Sequence, residues 1–455
     1  MMMMMIARRQ FELGLLRRSS CSRSYSTPTS SKKVPILYTD ESDSGESYEL
    51  LSWGRGASGQ LGGGIEEVRI YPTPVASLRV NPASFRLSPV PGRLLGPIDE
   101  CAADAPAKLE VGVSCGLFHS GLLVDGSLWI WGKGDGGRLG FGHENAVFVP
   151  TLNPNLSPVK SAALGGVHSI ALDSLGDVFS WGYGGFGALG HHVYTRELLP
   201  RLVEGPWEGR IKHIATSGTH TAAITDSGEL YMWGRDEGDG RLGLGPRPGP
   251  NEGGGMSIPS QVKELPVPVA AVFCGGFFTM ALTEEGQVWN WGANANYELG
   301  RGNKVGGWKP QLIPSLKDVR VTQIASGGYH TLALTDDGKV LSWGHGGHGQ
   351  LGHSNIQSQP VPTVIESLTD QCIVYIACGG ASSAAVTDKG KLYMWGNAKD
   401  SQLGTPGLPE INTQPIEVKF LTEDDELGSH HVLAVAVGAS HAMCLVSRSK
   451  VPIDN

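Results

Sequence analysis

Charge is scarce in this sequence: Asp, Glu, Lys and Arg make up only 18% of its 455 residues, where a typical soluble chain carries about a quarter. Long surface helices, which need a densely charged outer face, are therefore disfavoured against short strands and tight turns. The seven cysteines form no Cys-x-x-Cys pair and no dense cluster. A disulfide scaffold and a zinc module are thereby excluded, and a reducing compartment is the simpler expectation. Paired carboxylates, a nucleophile triad and a phosphate loop are also missing, so no catalytic residue, cofactor site or metal site is expected. Residues 265–283 (LPVPVAAVFCGGFFTMALT) lack charge altogether. That run approaches bilayer length, but its two prolines and two glycines argue for buried strands, not a membrane span.

Glycine is what the chain has in excess, 65 of 455 residues, roughly double the usual share. Much of it belongs to a repeat marked by the dipeptide Trp-Gly, at Trp53, Trp131, Trp181, Trp233, Trp291, Trp343 and Trp395. Successive spacings are 78, 50, 52, 58, 52 and 52 residues. Six copies open the same ten-residue tail, as in WGKGDGGRLG ending at Gly140 and WGHGGHGQLG ending at Gly352; the copy at Trp233 carries one extra residue. Thirteen residues before Trp181, Trp233 and Trp343 stand His168, His220 and His330, each after a run of small residues such as IASGGYH. His119 and His441 hold the same repeat position, and two copies replace it by Phe278 and Ser382.

In HTLALTDDGKVLSWG, the apolar runs have strand composition and Asp-Asp-Gly is hairpin chemistry, because both residue types tolerate positive φ. With VTQIASGG as a further strand, each repeat makes a sheet of about four strands. Such a sheet cannot bury both faces alone, so the repeats must stack radially. The expected fold is all-β: a closed seven-bladed β-propeller over 47–448, the tryptophans packing between blades. LAVAVGASHAMCLVS, around His441, is a half repeat without a Trp-Gly, while SYELLSWG at 47–54 is a Trp-Gly strand without its His half. The N-terminal strand should therefore complete the C-terminal blade and remove an open sheet edge.

These motifs, seven copies in order, resemble the regulator of chromosome condensation family, whose seven-bladed propellers carry Trp-Gly…Gly-x-Leu-Gly and Gly-x-x-His patterns, most like its plant mitochondrial members. The resemblance implies a propeller but several functions: nucleotide exchange on a small GTPase, ultraviolet-B reception, and organellar RNA processing or respiratory-complex biogenesis. The receptor places Trp two residues before the repeat His; here those positions hold Leu117, Gly166, Gly218 and Gly328, which argues against light sensing. The five histidines belong to five different blades and cannot share one metal ion, so they read as repeat-structural hydrogen-bonding groups. Cys115, Cys274 and Cys378 likewise share one repeat position, where another copy has Ser326, and read as small core residues.

Residues 1–25 differ in kind. They hold Arg8, Arg9, Arg17, Arg18 and Arg23 against the single acid Glu12, interleaved with Ile6, Phe11, Leu13, Leu15 and Leu16. This is transit-peptide composition, with cleavage expected after Tyr25; the alternative is a basic nuclear tail. Losing a net +4 would take the chain from −8 to −12, which disfavours diffuse binding to nucleic acid. A disordered acidic linker is expected over 26–46 and a short tail over 449–455. Two breaks in the repeat are candidate partner-binding loops on a face. The first contains Arg69, Tyr71, Arg79, Phe85, Arg86 and Arg93; the second, 236–258, contains Arg241 and Arg247. The leading expectation is a non-enzymatic scaffold of the mitochondrial matrix, supporting transcript splicing and complex I biogenesis through protein or ribonucleoprotein partners. Whether RNA is touched directly is left open. A guanine nucleotide exchange factor for a small GTPase is the alternative.

Overall fold

The computed structural model describes residues 34–39, 46–66, 68–82, 85–94, 109–236, 238–246, 255–420 and 430–448. The transit peptide, the tail and Arg247 lie outside the described residues. Seven sheets follow one another along the chain, antiparallel except for one added parallel strand in each of two. Blade 1 contains Leu109–Cys115, His119–Val124, Ser127–Gly132 and Val147–Leu152. Blades 2 to 6 begin at Val159–Leu164, Ile211–Thr216, Ala271–Cys274, Val321–Ser326 and Ile373–Cys378. Their fourth strands are Glu197–Leu202, Gly255–Gln261, Gly307–Leu312, Gln359–Val364 and Ile411–Glu417. Blade 7 takes its first two strands, His430–Val437 and His441–Arg448, from the C-terminal end and its third and fourth, Glu46–Arg55 and Val68–Val80, from the N-terminal end.

The first strand of each blade lies against the first strand of the next, including His430–Val437 against Leu109–Cys115, so the ring is closed around these inner strands. Burial follows position. The second strands, such as His330–Thr335, are buried along their whole length, while fourth strands such as Glu197–Leu202 are half-exposed. The Trp-Gly dipeptide has a geometric cause. Gly132 sits at φ +112°, and a Cβ there would come within 2.7 Å of both the Phe118 carbonyl oxygen and the His119 Cα. Only glycine lets the third strand leave the sheet against the Gly-x-x-His turn.

Closure goes further than the single N-terminal strand anticipated. Glu46–Arg55 pairs with His441–Arg448, Trp53 opposite Ala442 and Gly54 opposite His441, and Val68–Val80 then completes the blade. The stretch 26–46 is not all linker: Ile36–Thr39 adds a fifth strand, parallel to Val68–Val80. These four residues (ILYT) suit a pleated surface, and Leu37 and Tyr38 pack against the core shared by blades 7 and 1.

The first insertion is not a loop displayed on a face. Its opening residues are the fourth strand of blade 7, and Phe85–Leu87 then pairs parallel with Leu109–Val111, on the inner edge of blade 1. A sheet edge inside the ring offers unpaired backbone groups, and the inserted chain satisfies them.

Candidate partner-binding face

The repeat residues are spent on holding the blades together. All seven tryptophans of the Trp-Gly repeats are fully buried. Each indole Nε1–H donates to a backbone carbonyl of the preceding blade, at the variable position of the Gly-x-Leu-Gly tail. Trp53, Trp131, Trp181 and Trp233 bond Gln402, Gln60, Arg138 and Ala188 at 2.8–3.1 Å. Trp291, Trp343 and Trp395 bond Arg241, Glu298 and Gln350 at 2.9 Å.

The histidines add a second tie across the same interfaces. His119, His168, His220, His330 and His441 each share a hydrogen bond, through Nε2, with a hydroxyl one blade further on: Ser169, Thr221, Thr279, Ser383 and Ser120, at 2.9–3.2 Å. Burial pushes His168, His330 and His441 down to about 3, and holds His119 and His220 well below the ordinary imidazole range, with Arg138 and Arg241 adding repulsion. These rings are neutral structural groups. Among the described residues no group of His, Cys, Asp or Glu is arranged to hold a metal ion, and no helix is long and apolar enough to cross a membrane.

The structure does not bring the arginines of the two insertions together. Arg69 pairs with Glu66 and donates to the Ser52 hydroxyl at 3.1 Å and the Thr73 carbonyl at 3.3 Å. Arg79 is exposed near the end of the outer strand of blade 7, and the half-buried Tyr71 lies eight residues away on the same strand. Phe85 stacks on Tyr48 with ring centroids 4.8 Å apart, and Arg86 stands opposite Glu110. Arg93 lies inside the ring, its guanidinium 5.6 Å from the Tyr375 ring centroid. Arg241 is 1% exposed, ion-paired with Asp239, and holds its guanidinium 4.8 Å from the Phe277 centroid. Sequence reading assigned it to a partner-binding loop, yet it occupies the tail position of Arg138, another buried arginine, which was the available signal.

What varies between blades stands on one face. There the residue before each repeat His accepts a backbone bond from the residue after Trp-Gly in the same blade. Lys133 donates to Phe118, Tyr183 to Val167, Arg235 to Thr219 and His345 to Tyr329, all at 2.9–3.0 Å. The turns are thus rigid platforms. On them Leu117, Phe118 and Tyr183 are each 37% exposed and Tyr329 43%. Lys133 covers Phe118 at 5.5 Å, Arg235 covers Phe186 at 4.5 Å, and Tyr329 stacks on Phe277 at 5.4 Å. Aromatic rings stand on blades 1, 2, 4 and 5, with Arg235 of blade 3 lying over Phe186 of blade 2, and the arc ends at Ala381 and Ser440 in blades 6 and 7. The opposite face is acidic at its hairpin tips, which carry the exposed Asp125, Asp177, Asp226, Glu284, Glu285, Asp336, Asp337 and Asp388. Sequence reading missed the arc because its residues fill the variable positions of Gly-x-x-His and of the tail after Trp-Gly, where divergence between copies was the only clue.

A closed ring of seven like blades, its polar groups consumed between blades and its variable side chains raised on one rim, defines a repeat propeller built to display loops. Residues 49–444 match the RCC1-like domain, and the chain belongs to that family. It is 67% identical over 422 residues to the mitochondrial RCC1 domain-containing protein RUG3 of Arabidopsis thaliana, covering 92% of this chain and 93% of that protein. To the ultraviolet-B receptor UVR8 of the same plant it is 32% identical over 387 residues, 84% and 80% of the two chains. The crystal structure of human WBSCR16 superposes with a TM-score of 0.69 at 22% identity, covering 88% of this chain and 98% of that one, a likeness of fold alone. The relationship to RUG3 makes this a mitochondrial member of the family.

Proposed function

We propose that the protein is a non-enzymatic binding scaffold of the mitochondrial matrix, engaging protein or ribonucleoprotein partners in organellar transcript splicing and complex I biogenesis. The aromatic arc carries this reading. Large rings left 37–43% exposed on backbone fixed by hydrogen bonds offer contact area at low entropic cost, as binding hot spots do. The relationship to a mitochondrial protein and the basic leader composition of residues 1–25 support the location. Of the four arginines in the first insertion, only Arg79 is exposed to meet a partner. The exchange-factor alternative asks an insertion to act as a wedge, and it loses support because 85–94 lies inside the ring and Arg241 is engaged within the fold.

The test is affinity purification from isolated mitochondria, identifying both protein and RNA, with the parent and a Phe118→Ala, Tyr329→Ala variant. Reduced recovery of the dominant partner with the variant is expected, while Leu175→Ala, an exposed apolar change on an opposite-face hairpin, leaves recovery intact. A small GTPase as the dominant partner, or equal recovery with all three proteins, would overturn the proposal.

A further inference from the structure

The inserted segment 85–94 does more than pair with blade 1. Phe85, Arg86 and Leu87 run parallel to Leu109, Glu110 and Val111, and the Ser88 amide donates to the Val111 carbonyl at 2.8 Å. The chain enters from the acidic face, since it runs parallel to a first strand that ends at a Gly-x-x-His turn. It then reverses at Val90-Pro91-Gly92-Arg93, where the Arg93 amide donates to the Val90 carbonyl at 3.2 Å and Gly92 sits at φ +74°. Pro second and Gly third is the composition such a turn requires. Beyond the turn it meets blade 5: the Ile324 amide donates to the Gly92 carbonyl at 2.8 Å, and the Leu94 amide to the Thr322 carbonyl at 2.9 Å. Arg93 stands opposite Gln323 in an antiparallel bridge.

Ten residues thus use the inner edges of two blades four apart in the ring. Their side chains fill the space between: Leu87 and Val90 pack on the core shared by blades 6 and 7, Leu94 on that shared by blades 4 and 5. We infer that the ring encloses a strand-docking site, formed by the inner edges of Leu109–Cys115 and Val321–Ser326, that accepts an extended peptide reversing at a Pro-Gly turn and is filled in cis by Phe85–Leu94. Backbone pairing supplies the attraction, as in other strand additions, and covalent tethering keeps the local concentration high. Specificity rests on Gly92. A Cβ there would stand 2.3 Å from the Ile324 carbonyl oxygen, and the positive φ is itself unfavourable to other residues. The inference is independent of which partner the aromatic face binds.

A variant with 85–94 replaced by a Gly-Ser linker of equal length gives the test. A labelled Phe85–Leu94 peptide, followed by fluorescence anisotropy, should bind this variant saturably at 1:1 and the parent not at all. The same peptide with Gly92→Val should bind about tenfold more weakly or worse. Absence of binding to a variant with the parent's circular dichroism, or equal binding of both peptides, would overturn the inference. Should the linker variant not fold, full-length Gly92→Val decides by amide hydrogen exchange. Faster exchange at Ile324 and Leu94, with the Glu46–Arg55 strand unchanged, is expected. Unaltered exchange at Ile324 would sink the docking site.

Discussion

Mild acid should weaken this propeller through its repeat histidines. Five imidazoles are buried at blade interfaces, with folded-state values of about 3 for His168, His330 and His441 and well below normal for His119 and His220. Unfolding returns each to an ordinary value of about 6.5. A lowered value for a base means that stability is complete above pH 6.5 and is lost as pH falls toward 3, because the unfolded chain takes up protons that the native ring refuses. Each histidine then costs about 1 kcal/mol between pH 6.5 and 5.5, where the slope is still rising toward about 1.4 kcal/mol per pH unit, so five cost on the order of 5 kcal/mol, comparable with the stability of a typical domain. Burial also raises the carboxyls of Glu49 and Glu110, so a histidine variant is needed to isolate the imidazoles. Urea unfolding followed by tryptophan fluorescence at pH 7.5, 6.5 and 5.5 would measure the slope. The informative variant is His330→Phe, for which Phe278 supplies a precedent at the same repeat position. Ser383 loses one bond but keeps its donation to the Gln350 carbonyl at 2.8 Å. Between pH 6.5 and 5.5 the slope should fall by about 1 kcal/mol per pH unit. Flat stability between pH 7.5 and 5.5, or an unchanged slope in His330→Phe, would refute the reasoning.

Deleting Glu46–Arg55 should abolish cooperative thermal unfolding, since this strand pairs with both Val68–Val80 and His441–Arg448, whereas deleting Ile36–Thr39 from the outer edge should lower the Tm by only a few degrees; the reverse order would refute the closure. Trp291→Phe removes the bond to the Arg241 carbonyl and some packing volume, while Thr279 still donates to that carbonyl, so calorimetry should find a loss of about 1–3 kcal/mol. Arg69→Gln should destabilise measurably, because its side chain is 10% exposed and joins Glu66, Ser52 and Thr73, while Arg79→Gln should leave the Tm unchanged within error.

What could be read from the sequence was what repeats. Seven copies of Trp-Gly gave the blade number, and two incomplete copies at the chain ends gave the closure, because each copy serves as a control for the others. The inserted segment occurs once. Its four arginines without an acid looked like a basic surface patch, and composition alone could not show that Arg69 faces Glu66 or that Arg93 is carried inside the ring. A local signal existed in Pro91-Gly92, which marks a tight reversal between Leu87 and Leu94. Arg241 failed for a different reason. One extra residue in its tail obscured the alignment with Arg138, so a blade-interface residue was counted with the loop that follows it.

The interblade ties also hold a record of ring order, visible only when positions are read as pairs. Wherever a blade has the repeat His, the next blade has a hydroxyl at hydrogen-bond distance: Ser169 for His119, Thr221 for His168, Thr279 for His220 and Ser383 for His330. Where the histidine is replaced, the hydroxyl is lost or turns elsewhere. Ser382 of blade 6 precedes Ala442 in blade 7, and Phe278 of blade 4 precedes Thr331, whose hydroxyl lies 3.1 Å from that of Ser326 in its own blade. By this rule His441, in the last blade, demands a hydroxyl in a blade beyond the end of the chain. The bond it makes, at 2.9 Å, is to Ser120, 321 residues earlier. A linear stack of repeats would leave that imidazole without a partner; a closed ring supplies one, so the pairing of His441 with Ser120 ties the last blade to the first independently of the shared strands of blade 7.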